Sequence, residues 1–407
     1  MGGLRSGITA CTLAAVAIAA GMLSGGTQSV HATSSTYSDL GLTSFGRILV
    51  DPATSQVFVS SPADSAIVVT DLSGTIKKRI NGEAGANSMA IVGSTLYVAL
   101  TTLGEIDKID TGTLSETGVL VSGLFKPNDL IYAGGKLWTT TGQCTGSAVE
   151  MASVDPSAGT PAVTLYPSAF TNANSLNYCA KFAASHAASP TVILAWDPGI
   201  SPSRLTTFDV SSGSPVQLNS AYVPEIADAA IAADGTHFHA SGITEYNLSD
   251  LTSDGTTYSG GASVDSTGAN GGLVIGESDQ IYGFSFYAYQ IGAPSTPIAT
   301  WSFSNVAFPT SVVRSVAFGP DGLTAYGITL ASPTDVVLNV LSIPYVAPIG
   351  SPAPPTSVTA DAGVGSAAVS WTPGDPGSSA VTGFTVASSG GGVVQVGPAV
   401  NTVTIAS

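Results

Sequence analysis

One phrase recurs seven times between residues 46 and 345: a small or polar residue, a short apolar run, a tight turn and a second β-rich run. Its anchor positions are Gly46, Asn87, Asn128, Asn174, Asp228, Asn270 and Arg314, spaced 41 to 54 residues apart. A repeat of this length is one supersecondary unit that cannot bury its own apolar faces and must stack on its neighbours. No helical period separates the units, so the chain reads as all-β, a β-propeller of about seven blades.

The first unit shows the pattern most plainly. Residues 47–51 (RILVD), 56–60 (QVFVS), 66–71 (AIVVTD) and 75–80 make four strands, joined by turns rich in Pro, Ser and Gly. The second unit repeats it with 89–92, 95–100, 105–110 and 113–121, and the third with 130–133 and 136–141 across Gly134-Gly135. An insertion at 182–190 makes the fourth unit irregular. The seventh offers three strands and lacks a fourth, for which residues 37–43 are the natural donor; a ring closed by both ends leaves no exposed sheet edge. The form φφ-Asp-Pro…φφVSS…φφVxDL resembles the YVTN/NHL-type repeats of secreted bacterial β-propellers over residues 37–345. That resemblance implies a seven-bladed propeller and is silent on function, because propellers host unrelated chemistries.

The ends read differently. Arg5, the apolar run 8–23 and the small residues around Ala32 are expected to form a secretory signal peptide over 1–32, too short and lightly flanked for a membrane span. Cys11 sits at the start of that apolar run, which is the wrong place for lipid attachment. The propeller then spans 33–345, and a Pro-rich linker covers 346–355. Within 356–407 the stretches AAVSWTP (367–373) and VTGFTVAS (381–388) resemble strands B and C of a fibronectin type III domain, with Trp371 at its strand-B tryptophan position. The strands that should complete the β-sandwich are not found before Ser407, so this partial domain is expected to be truncated or poorly folded.

Charge excludes some partners. The formal net charge is −16, and removing a leader that contains Arg5 and no acid takes it to −17. No Lys or Arg follows Arg314. Such a surface suits neither nucleic acid nor an anionic membrane. The basic run Lys77-Lys78-Arg79 falls on an outer strand, where it discourages edge pairing. Two cysteines remain in the exported chain, Cys144 and Cys179, and in an oxidising compartment they are expected to pair. The strand register works against this, putting Cys144 after a second strand and Cys179 towards the far end of a first strand.

First strands of a propeller run parallel around a channel, so equivalent positions share one level. Asn87, Asn128, Asp228 and Asn270 each stand six residues before their turn, and Asn174 joins them by local pattern. Five side-chain oxygens at one mouth suit Ca2+, which takes six to eight oxygen ligands. Pro127-Asn128-Asp129 resembles the stretch that holds a catalytic calcium in paraoxonase and gluconolactonase-type propellers. The resemblance carries over only Asn128 and Asp129, and the early glutamate of that family is replaced by Gly46. The plainer and preferred alternative is that these residues bond nearby backbone and fix the loops between blades. His237 and His239 share a strand face and read as surface histidines; Asp250 and Asp254 read as a solvated turn. His186 has no nucleophile motif beside it, and no catalytic residue or certain cofactor is implied. The expected function is secreted, non-enzymatic recognition of an extracellular protein or glycan through propeller loops. The alternative is a calcium-dependent, lactonase-like hydrolase or lyase.

Overall fold

A computed structural model describes residues 35–143, 149–170, 176, 180–185, 190–198, 200–224, 226–232, 235–240, 244–258, 264–265, 273–280, 283–291, 295–303, 314–332, 334–344, 355–374, 383–387 and 393–406. The chain divides into two compact units, one holding Val30–Val346 and the other Ala347–Ser407. Among the described residues the larger unit contains seven four-stranded antiparallel sheets, numbered here in chain order. Their first strands are Ile48–Asp51, Ala86–Val92, Leu130–Ala133, Lys181–Ala184, Ala229–Ile231, Val264–Asp265 and Val316–Phe318.

Second strands such as Gln56–Ser61, Thr95–Leu100 and Val192–Trp196 are buried on both faces, which is why they read as continuous apolar runs rather than alternating ones. In the fourth sheet Ile193 and Ala195 pack against Trp138 and Met151 of the third, whereas Leu194 and Trp196 pack against Ile231 and Phe238 of the fifth. Seven such apolar clusters lie between successive sheets, and one of them joins Tyr326, Ile328 and Leu338 of the seventh to Val57, Val59 and Val68 of the first. The sheets therefore form a closed ring. Fourth strands lie outermost, and Ile76–Asn81 exposes Lys77, Lys78 and Arg79 as the sequence suggested. Two of these side chains also tie loops, with Lys78 Nζ donating to Leu114 O (2.6 Å) and Arg79 Nη1 to Gly41 O (2.8 Å).

The ring is closed by both ends of the unit. Ser35–Asp39 pairs antiparallel with Asp335–Ser342 and supplies the fourth strand of the seventh sheet. The donor strand starts two residues before the segment expected from sequence, and Leu40 and Leu42 bury their side chains just beyond it. Leu42 O accepts from Val336 N at 3.0 Å, which holds that exit in place.

The smaller unit forms five strands in its described residues, where a truncated or poorly folded partial domain is the expectation from sequence. Thr356–Gly363, Ser366–Thr372 and Thr402–Ala406 make one sheet, and Phe384–Ala387 pairs with Val393–Val396 in another. Trp371 is buried, edge-on to Phe384 with ring centroids 5.3 Å apart. Thr356–Gly363 is exposed along its whole length.

Candidate functional site

The seven first strands line one cavity of about 870 Å3. Its wall is mostly apolar and half-buried, with Val50, Ile91, Tyr132, Ala184, Ala230 and Ala317 each contributed by a different sheet. The turns at Pro52, Gly93 and Pro320 border it at one end. Charged and hydroxyl side chains gather where the first strands begin.

Asp129 is the hub of that gathering. Its Oδ1 accepts from Ser88 Oγ (2.7 Å) and Leu130 N (3.1 Å), with Arg47 Nη1 at 3.5 Å. Its Oδ2 accepts from Phe182 N (2.6 Å) and Arg314 Nη2 (3.2 Å). Arg47 Nη1 also donates to Ser88 Oγ and to Leu130 O, each at 3.1 Å. Arg314 donates to Phe182 O as well, and its guanidinium lies 5.1 Å over the Trp196 ring. On the other side Asp228 pairs with Arg314 Nε (3.2 Å) and accepts from the Arg314, Ala229 and Val264 amides. Asp265 Oδ2 accepts from Phe318 N at 2.8 Å. All seven sheets are joined by this one network.

Its electrostatics follow from burial and opposed charge. Asp129 and Asp228 have side chains only 2% and 1% exposed, which opposes ionisation. Around Asp129 that burial is outweighed by Arg314, Lys181 and Arg47 and by the Phe182 amide, and its carboxyl is held at about 2. Burial and then the neighbouring Arg314 lower the Arg47 guanidinium to about 10, still charged at neutral pH. Burial likewise lowers Lys181. The three cations Arg47, Lys181 and Arg314 balance the three carboxylates Asp129, Asp228 and Asp265.

Of the residues expected as an Asn/Asp ring, Asn87 and Asn128 stand beside this network and Asp228 belongs to it. Asn87 Nδ2 donates to Asn128 O (2.8 Å), and Asn128 Nδ2 donates to Lys126 O (3.0 Å) and Gly142 O (3.3 Å). Asn174 and Asn270, like Cys144, Cys179 and His186, lie outside the described residues. The difference is one of register. Four residues before the last pair of each inner hairpin (Asp51–Gln56, Val92–Thr95, Ala133–Lys136) stand Arg47, Ser88 and Asp129, one residue beyond the anchors Gly46, Asn87 and Asn128. A one-residue offset moves a side chain to the other face of its strand. Asp228 matched the others by distance to its turn only because the loop between Ile231 and Phe238 is longer than the two-residue turns of sheets two and three. Gly46 has a local reason: a Cβ there would sit 2.6 Å from Asn87 O and 2.7 Å from Ser60 Oγ.

His239 corrects another expectation. It is fully buried, not on the surface, with Nε2 3.4 Å from Glu245 Oε2 and its ring edge-on to Tyr258. Asp250 does cap a solvated turn, accepting from Thr252 N (2.9 Å) and Thr252 Oγ1 (2.6 Å).

No family model matches the chain, and no curated protein matches it. Among solved structures it is similar to Kuenenia stuttgartiensis hydrazine synthase, at 13% identity and a TM-score of 0.50, over 77% of this chain and 98% of that one. It is also similar to the β-propeller domain of Cps50 (Swd1) from Myceliophteria thermophila, at 12% identity and a TM-score of 0.53, over 74% of this chain and 96% of that one. At such identities the likeness concerns fold alone. The fold is that of a β-propeller. Among the described residues no helix is long and apolar enough to cross a membrane.

Proposed function

We propose that this is a secreted recognition or scaffold protein, a seven-bladed propeller whose loops and channel mouth engage an extracellular glycan or protein. The observation that carries the reading is the saturated state of the Asp129 network. Both of its oxygens hold donors from four sheets, and its charge is already balanced by Arg47 and Arg314. A general base needs a lone pair free to reach substrate, and a nucleophile needs a base beside it. Groups spent on joining sheets make a rigid frame, and a rigid frame presents loops with little ordering cost on binding.

The smaller unit fits a fibronectin type III-like spacer, a reading supported by its three-plus-two strand pairing and by Trp371 packed on Phe384. The apolar channel wall is suited to an aromatic or sugar-ring face.

The test is a glycan array and a panel of purified exported proteins probed with the whole chain, beside lactone and ester hydrolysis assays run with Ca2+. Saturable binding without turnover supports recognition. Turnover that requires Ca2+ and disappears in Asn128→Ala replaces it with the lactonase-like reading.

A further inference from the structure

We propose that Glu83, Asp107 and Glu116 form a calcium site between the first two sheets, away from the channel. Glu83 lies in the connection from Ile76–Asn81 to Ala86–Val92, Asp107 on the third strand of the second sheet, and Glu116 on its fourth. Asp107 stands two residues before Ile109, so both point to one face of their strand, and Ile109 packs in the cluster between sheets one and two. One carboxylate oxygen from each of the three residues lies within 4.8 Å of the other two.

Three like charges brought this close need a reason, and two of them are almost wholly buried. Glu83 is 1% exposed and Asp107 6%. Among the described residues, Glu83 Oε2 and Asp107 Oδ1 have no hydrogen-bond partner. Buried carboxylate oxygens are otherwise paired or bound to a metal. Lys78, on the outermost strand of the first sheet, directs its ammonium to Leu114 O instead. Burial, and then the charges of Asp107 and Glu116, push Glu83 up to about 7; burial, Glu116 and Glu105 push Asp107 up to about 6. The Glu83 loop has little freedom to relax, because Gly85 takes φ +80° and a Cβ there would meet Thr101 Oγ1 at 2.6 Å.

The donor set selects the ion. All three donors are carboxylate oxygens, which suit a hard cation rather than the softer metals held by imidazole or thiolate. Oxygens at 2.3–2.6 Å from a shared Ca2+ are up to about 4.6–5.2 Å apart, a range that takes in the separations within the trio with small side-chain adjustment. Mg2+ at 2.0–2.1 Å demands near-octahedral geometry and keeps several of its waters, which suits it less to a trio of carboxylates from three separate segments. Exposed Glu116 leaves the site open to solvent for entry.

The experiment is thermal melting of the full EDTA-treated chain with and without Ca2+ or Mg2+, repeated on Glu83→Gln/Asp107→Asn and on Glu116→Gln. Ca2+ at saturation should raise the wild-type melting temperature by roughly 2–5 °C. The double variant should melt no lower than the EDTA-treated wild type, since it loses only repulsion, and should not respond to Ca2+. Glu116→Gln, exposed and harmless to folding, should shift the Ca2+ midpoint upward by about tenfold. No wild-type response at Ca2+ on the order of 10 mM overturns the site. So does a response that survives in the double variant or that Mg2+ reproduces at equal concentration. Loss of the response in Asn87→Ala/Asn128→Ala, with the acidic variants unaffected, would move the ion to the channel. Glycan or protein binding can fail without touching this result, because the trio lies outside the cavity.

Discussion

At the scale of single residues the ring depends on Asp129. Replacing it with Asn would leave Arg47 and Arg314 facing each other without their shared counter-charge. Breaking a buried pair from one side costs about 3–5 kcal/mol, which denaturant unfolding of Asp129→Asn should register as a lower midpoint. The pH dependence has a definite sign. A carboxyl held at about 2 in the folded chain, below its unfolded value, contributes stability above roughly pH 4 and loses it as pH falls towards 2. The gap between wild type and Asp129→Asn should therefore narrow between about pH 4 and 2 when melting is followed across that range. Ser88→Ala should cost less, about 1–3 kcal/mol, because it removes one neutral hydroxyl from a buried bond to Asp129. The anchors Gly46, Asn87 and Asn128 are visible in the sequence; their neighbours Arg47, Ser88 and Asp129 share no residue type that would mark them as a set. Spacing to a glycine turn measures loop length together with register, and only strand pairing separates the two.

At the scale of elements, the strands that face sheets on both sides were the easiest to read. Runs such as QVFVS and TVILAWD are apolar through their centres, Val57 to Val59 and Ile193 to Trp196, because both faces there meet a neighbouring sheet. The closing strand is the opposite case. Ser35–Asp39 is short, polar and mostly exposed, and in sequence only the strand missing from the seventh unit points to it. Its contribution is backbone hydrogen bonding that covers an edge, which leaves no hydrophobic period in sequence. Deleting residues 35–39 should lower the melting temperature and cause concentration-dependent aggregation, detectable by light scattering, through the uncovered edge of Asp335–Ser342. Gly46→Ala tests packing between adjacent first strands. Its Cβ would press on Asn87 O, and a loss of about 1–3 kcal/mol in chemical unfolding is expected.

Over the whole molecule, charge is distributed unevenly. Of eleven basic residues, Arg47, Lys181 and Arg314 are drawn into the axial network, and Lys78 and Arg79 are tied to backbone carbonyls. What is left outside is dominated by acids, consistent with the formal −16. The chain should pass through heparin and DNA columns unretained at physiological ionic strength, and retention there would contradict this account.

The sequence by itself determined the all-β character, the repeating unit and the placement of most strands, because those follow from local period and turn chemistry. It also marked the basic outer strand and the tryptophan of the smaller unit. Only the tertiary structure decided which polar residues meet. Arg47, Ser88, Asp129, Asp228 and Arg314 come from five separate sheets, and Glu83 reaches Asp107 and Glu116 across a sheet boundary. No local pattern encodes such meetings. They arise when a closed ring brings together strand ends far apart in sequence, and a shift of one residue in any strand would bring a different set together.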